Sequence, residues 1–251
     1  MRALWSTGFV IAALCVSRLA AASDIKPYLA SALADPARSA DTKDDARRKP
    51  GPMLAFSGVK PGDKVVDLIP GGGYFTRILS KTVGDKGHVF VVWPDEYAKV
   101  AHPDPENSKK LAATPGFGNI TVLEQPAAAF ATPEPVDMVL TVQNYHDYPD
   151  EFMGKVDPVA FDRAVFKSLK PGGTYVIIDH KAAETAGDDV TETLHRIKES
   201  TVKKEVEAAG FKLVAEGHDL TFPGDDGTKR VFENDVRGKT NQFMLKFQKP
   251  K

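Results

Sequence analysis

The sequence predicts an α/β protein with a Rossmann-like, doubly wound sheet of seven mostly parallel strands and helices on both faces. Three observations predict it. From Asp63 onward, short β-rich runs alternate with helical patterns, as right-handed crossovers between parallel strands require. The first run, "KVVDLI" (64–69), is largely apolar between "KPGD" and "PGGG", as a strand buried on both faces should be. It hands over directly to a glycine turn and a helix.

In chain order, the first 22 residues have the pattern of an export signal. Arg2 supplies a positive start, Leu4 to Val16 is mostly apolar, and Ala20 and Ala22 offer a cleavage site before Ser23. The apolar run is shorter than the roughly 20 residues of a membrane-spanning helix, so no stable membrane insertion is expected after cleavage. The chain is expected to be exported, to the periplasm or beyond. Cys15, the only cysteine, would leave with the signal, which excludes disulfides and thiolate zinc sites from the mature chain. Without Arg2 and Arg18, 31 basic face 34 acidic side chains. No basic stripe is present, so nucleic acid is not an expected partner.

Residues 23–62 read as an N-terminal helical extension, and residues 63–251 as the main domain. After "KVVDLI", Phe75, Ile78, Leu79 and Thr82 share one helical face, and Gly84 stops the helix. "HVFVVW" (88–93), "NITVL" (119–123), "VDMVLTV" (136–142) and "TYVIID" (174–179) follow as strands. Asp157 and Pro158 open a helix carrying Phe161, Val165 and Leu169. A later helix holds Val202, Val206 and Ala209 on one side. "FKLVAEG" (211–217) and "NQFMLKF" (241–247) close the sheet. In such a sheet ligands sit outside the carboxyl ends of the strands, where strand order reverses.

Gly71, Gly72 and Gly73 stand where the first strand turns into a helix. Glycine permits the φ values such a turn needs and lets a ligand approach the backbone. The helix beginning near Tyr74 adds unpaired N–H groups at the same place.

"VVDLIPGGGYFTRIL", "PVDMVLTVQNYHDY" and "LKPGGTYVIIDH", in that order, resemble the class I methyltransferases that use S-adenosylmethionine. "NYHDY", "DHKA", "LHRIKE", "EVEAAGFKLVAEG" and "VRGKTNQFMLKFQKP" look more narrowly like a group of exported predicted methyltransferases. The resemblance covers nearly all of Lys49 to Pro250 and implies S-adenosyl-L-methionine as cofactor. It places Asp67, Gly71 and Gly73 against the methionine part of that cofactor, with Gly72 and Tyr74 as further cofactor-binding candidates on the same turn. Two positions depart from the pattern. Ile69 replaces the usual first glycine, and the second strand ends in Trp93 rather than an acid. Asp95 or Glu96 is expected to reach the ribose instead, with Trp93 stacking on adenine or facing the sulfonium. Gln125 is expected at the base edge, and Asn144 at the methionine amine or carboxylate.

The fourth and fifth strands deliver His146, Asp147, Asp179 and His180 to the same rim. Methyl transfer needs an in-line approach, which positioning supplies, and a hydroxyl or amine acceptor gains from a base near neutrality. His146 is the first candidate, as base or substrate orienter with Asp147 or Asp179 fixing its tautomer, and His180 the second. No metal is expected. His146, Asp147, His180 and His195 could form a nitrogen/oxygen site, but tight histidine spacing is missing. "TLHRIKES" places His195 and Glu199 on one face of a possible lid helix, and "DARRKPGPMLAF" is a candidate cap over the cofactor.

The expected function is methyl transfer from S-adenosylmethionine to a small-molecule acceptor. Export sets the chain apart from the cytosol, where that cofactor is made. The mismatch sustains two rivals: an exported Rossmann-like binding protein without transfer activity, and a metal-assisted hydrolase or lyase on the same rim.

Overall fold

The computed structural model describes residues 25–251; the expected export signal lies outside the described residues. Before the sheet come three short helices, α1 (Pro27–Leu33), α2 (Asp45–Arg48) and α3 (Pro50–Ser57). Then follow β1 (Lys64–Leu68), α4 (Tyr74–Val83), β2 (His88–Pro94), α5 (Asp95–Val100), α6 (Asp104–Ala112), β3 (Ile120–Gln125) and β4 (Val136–Val142). The chain continues through α7 (Pro158–Ser168), β5 (Leu169–His180), α8 (Val190–Leu194), α9 (Glu199–Ala208), β6 (Lys212–Gly217) and β7 (Gln242–Gln248).

All seven strands form one sheet, in the order β3-β2-β1-β4-β5-β7-β6. β7 runs antiparallel to both β5 and β6, while β1 to β5 pair in parallel. The order reverses between β1 and β4, so the ends of those two strands open the crevice in which such sheets bind ligands. Val65, Val66, Val89, Val91, Val139, Val176, Ile177 and Ile178 are fully buried. Apolar side chains on both faces of these central strands explain why their runs lack polar alternation.

Local signals set the boundaries. Asp157 accepts a hydrogen bond from the Val159 N–H and starts α7, with Pro158 in its first turn. β5 begins earlier than its apolar run predicts, because Leu169 already pairs with Val136 before an irregularity carries the pairing to Thr174. β2 extends through Pro94, and α5 starts at the next residue. Among the described residues no helix is long and apolar enough to cross a membrane.

Candidate functional site

At the carboxyl ends of β1 and β4 lies a cavity of about 610 Å³, within the range of about 300–1,000 Å³ usual for small-molecule sites. The glycine turn forms one wall through Ile69, Pro70, Gly71 and Gly72. Gly71 and Gly73 adopt left-handed φ of +54° and +77°, where a Cβ would strain the backbone. A side chain at Gly71 or Gly72 would meet nothing within 4 Å, whereas one at Gly73 would crowd Arg77. Gly71 and Gly72 therefore face open space, and Gly73 shapes the entry into α4.

Five described residues with side chains hold the same rare conformation, three of them here: Ile69 (φ 52°), Gln143 (φ 66°) and His195 (φ 51°). All three line the cavity. For a β-branched residue such as Ile69 this is a strained backbone, tolerated where the surroundings impose it. Asn144 imposes part of it. Its amide donates to the Ile69 and Val142 carbonyls at 3.0 and 2.7 Å, and its oxygen accepts from the Tyr97 hydroxyl at 3.3 Å. Asn144 thus ties the ends of β1 and β4 together, and its amide hydrogens are engaged in that frame.

The N-terminal segment supplies another wall. Arg77 of α4 donates to both oxygens of Asp41, and Arg38 to both oxygens of Asp45. These paired contacts hold residues 41–48 over the site, so Asp41, Asp44 and Arg48 join the lining. Arg48 lies 4.7 Å from the centre of the Tyr74 ring, and its buried Nε has no hydrogen-bond partner among the described residues. Burial and the neighbouring Arg47 both disfavour its charge, so an anion arriving there would be welcome.

Asp67 stays beneath the turn rather than in the lining. It accepts a hydrogen bond from Thr76 Oγ1 at 2.6 Å. Burial pushes its carboxyl up to about 6, with Thr76 and Arg48 opposing that rise.

The rim after β4 and β5 is densely polar. Asp179 is fully buried. It accepts from His146 Nδ1 at 2.8 Å and from the backbone N–H groups of His146 and His180 at 2.9 and 2.7 Å. Burial opposes a charge on His146, but Asp179 and Asp147 outweigh it and raise the ring to about 9. His146 accordingly keeps its proton through neutrality, which favours the orienting role over that of proton acceptor. His180 goes the other way. Burial takes it down to about 3, against the pull of Asp179, and its Nδ1 lies 2.7 Å from Thr240 Oγ1. The two rings, 6.0 Å apart, are thus held in opposite protonation states. His146, Asp147 and His180 line the cavity, while Asp179 supports them from behind.

Besides Asp67 and Gly73, the expected cofactor contacts Trp93, Asp95, its alternative Glu96, and Gln125 are not in the lining. Trp93 is fully buried and donates from its indole N–H to Ser108 Oγ at 3.1 Å. Asp95 sits in the first turn of α5, because β2 continues past Trp93 and leaves no loop to carry the carboxylate inward. Gln125 bonds the backbone of Ala131 on both sides of its amide. The expected lid helix is also interrupted. His195 ends α8 in a left-handed turn, and Glu199 begins α9, paired with Lys181 and Lys203. The break follows from Ile197, which bridges to Lys181 in strand-like fashion.

The break turns His195 toward the rim. Among the described residues His146, Asp147 and His195 each offer one ligand atom within 4.8 Å of the others, a set able to ligate a metal. His180, engaged with Thr240, stands outside it. Tyr97, Phe152 and Phe232 also reach the cavity, although nothing in the loops carrying the two phenylalanines signals it. Arg48 lies in the stretch expected to cap the cofactor, whereas Asp41 lies ahead of it and no sequence signal singles it out.

No family profile matches the chain. A protein-L-isoaspartate O-methyltransferase of Ignicoccus hospitalis is 27% identical over 126 residues, covering 50% of this chain and 51% of that protein. A ubiquinone/menaquinone biosynthesis C-methyltransferase of Shewanella woodyi is 28% identical over 127 residues, covering 50% of this chain and 46% of that one. The chain thus spans about half the length of these curated relatives. Among solved structures, a SAM-dependent methyltransferase from Aquifex aeolicus superposes with a TM-score of 0.57 at 22% identity, covering 88% of this chain and 97% of that one. By strand order and by these likenesses, the chain has the class I methyltransferase fold and falls within that superfamily.

Proposed function

We propose that the chain is an exported S-adenosylmethionine-dependent methyltransferase acting on a small-molecule acceptor. One observation carries the reading: the strained turn of Ile69 to Gly72 and the rim of His146 and His180 face each other across a single cavity. The turn and the start of α4 would take the methionine end of the cofactor, where backbone N–H groups favour an anion. Arg48, with its unpartnered Nε, would meet the carboxylate. Asp41 and Asp44 on the same wall suit the ammonium. The acceptor would enter past Phe152 and Phe232, which are 36% and 51% exposed at the cavity mouth, and rest against the rim. Such a mouth suits an acceptor with an apolar or aromatic body. The pattern of residues 1–22 supports export, and the N-terminal residue of the protein recovered from outside the cytosol checks it.

Calorimetry with S-adenosylmethionine and its demethylated product tests the reading. Saturable binding is expected. Gly72→Val, which adds bulk at the wall without a left-handed backbone to strain, should weaken it at least tenfold, and Arg48→Gln by a smaller factor. Absence of binding to either nucleoside would refute the proposal. Binding without turnover of any acceptor would favour the rival reading as a binding protein. The exclusion of Trp93 and Asp95 from the lining gives that rival its support.

A further inference from the structure

Two separate elements aim three donor atoms at one spot on the cavity wall. His146 and Asp147 stand on the turn after β4, and His195 caps α8. His146 Nε2 lies 3.3 Å from Asp147 Oδ1, and His195 Nδ1 lies 3.7 Å from the same oxygen. Ligand atoms held about 2.0–2.1 Å from a tetrahedral zinc-type ion stand roughly 3.3–3.5 Å apart. The triangle is therefore near the size such an ion requires, and small rotations of His195 would close its longer edges.

The surroundings are built to match. Asp179 accepts from His146 Nδ1 at 2.8 Å and is itself fixed by the backbone N–H groups of His146 and His180. That arrangement holds the Nδ1 proton in place, so that an ion displacing the proton on Nε2 meets a lone pair directed toward Asp147, the carboxylate–histidine pairing that orients ligands in metal sites. Asp147, Asp150 and Asp179 are all buried here. Among the described residues no lysine or arginine forms an ion pair with any of them. Three buried carboxylates thus share the single charge of the His146 ring, and a divalent cation would offset the excess negative charge. The left-handed backbone of His195 is the strained turn that brings the third ligand in.

We propose that His146, Asp147 and His195 bind one divalent transition-metal ion of the zinc type, with a fourth position open to the cavity for water or an acceptor oxygen. Binding through Nδ1 puts a proton on His195 Nε2, so the exposed Arg230, now 3.4 Å from that nitrogen, must swing away. The proposal is independent of methyl transfer, because the ion would bind with or without a nucleoside.

The test uses the purified full chain, stripped with a chelator and titrated with Co²⁺ as an optical probe, then with Zn²⁺ in competition. One equivalent is expected to saturate with the visible absorption of four-coordinate Co²⁺ and to raise the melting temperature. His195→Gln and Asp147→Asn should each weaken binding at least tenfold while keeping the wild-type circular dichroism. Asp179→Asn, which removes no ligand, should weaken it about tenfold. His218→Gln, on the exposed surface, should change nothing. Absence of saturable binding, or binding that either ligand variant leaves intact, overturns the three-ligand site.

Discussion

The two ends of the same sheet solve opposite problems. At the amino ends, a hollow of about 340 Å³ is lined by Lys60, Asp63, Asp137, Lys170 and Lys246 among others. Its acids are matched: Lys60 pairs with Asp63, and Lys170 with Asp137. No left-handed residue other than glycine borders it. At the carboxyl ends, Asp67, Asp147 and Asp179 are buried without a lysine or arginine ion pair among the described residues, and three side-chain-bearing residues are strained. Both ends contain charge, but the carboxyl end buries it more deeply, with Asp179 resting on His146 alone and Asp67 pushed up by burial. Strain and the burial of charged groups cost stability, and they persist where a ligand or a reaction has use for them. The contrast therefore separates the candidate site from an ordinary polar surface better than pocket size does.

The largest effect is expected at Asp179. Removing it in Asp179→Ala leaves His146 Nδ1 and two buried backbone N–H groups without their acceptor. A loss of about 3–5 kcal/mol in denaturant titration follows from breaking a buried, hydrogen-bonded pair by one partner. A loss under 1 kcal/mol would mean that the rim is not the cooperative unit its hydrogen bonds describe.

Asp67 gives the next effect, of opposite sign. The folded protein holds a proton on this carboxyl up to about 6, against an ordinary 3.8, so folding takes up a proton between those values. The resulting stability is present below about pH 4 and is lost as pH rises through 6. Asp67→Asn stays neutral and can still accept from Thr76. It should be more stable than the parent by about 3 kcal/mol at pH 7, with little difference below pH 4. Urea titrations of both proteins at the two pH values measure this. Equal stability at pH 7 would show that the buried acid carries no penalty there.

The smallest change belongs to the amino end. Lys170 donates to both oxygens of Asp137, yet its side chain is 42% exposed. Lys170→Met should alter stability by less than about 1 kcal/mol, the usual scale of an exposed ion pair. A larger loss would erase the distinction between the two ends.

Much of this architecture was legible in the residues. "KVVDLI", "HVFVVW" and "VDMVLTV" are strands because β-rich runs without polar alternation fit a sheet covered on both faces. Asp157 and Pro158 start α7 through a cap bond that depends on neighbours two residues apart. Gly71 and Gly73 adopt the positive φ that their place after a buried strand demands. The rim of His146, Asp147, Asp179 and His180 follows once the two strands are known to be adjacent. What failed to read was direction. Trp93 and Asp95 sit beside the right strand end, but β2 runs on through Pro94, which leaves one in the core and the other in a helix turn. His195 looked like one turn of a helix shared with Glu199, and a break between them sends it to the rim instead.

By itself the sequence determined the elements, their order and the loops bearing glycine, histidine and aspartate, since those depend on periodicity and on local backbone preference. Only the tertiary structure decided which of those groups meet, which are charged, and which face the cavity. Distance and burial, unlike periodicity, are properties of residues far apart in the chain, and here they raise His146, lower His180 and bring His195 beside Asp147.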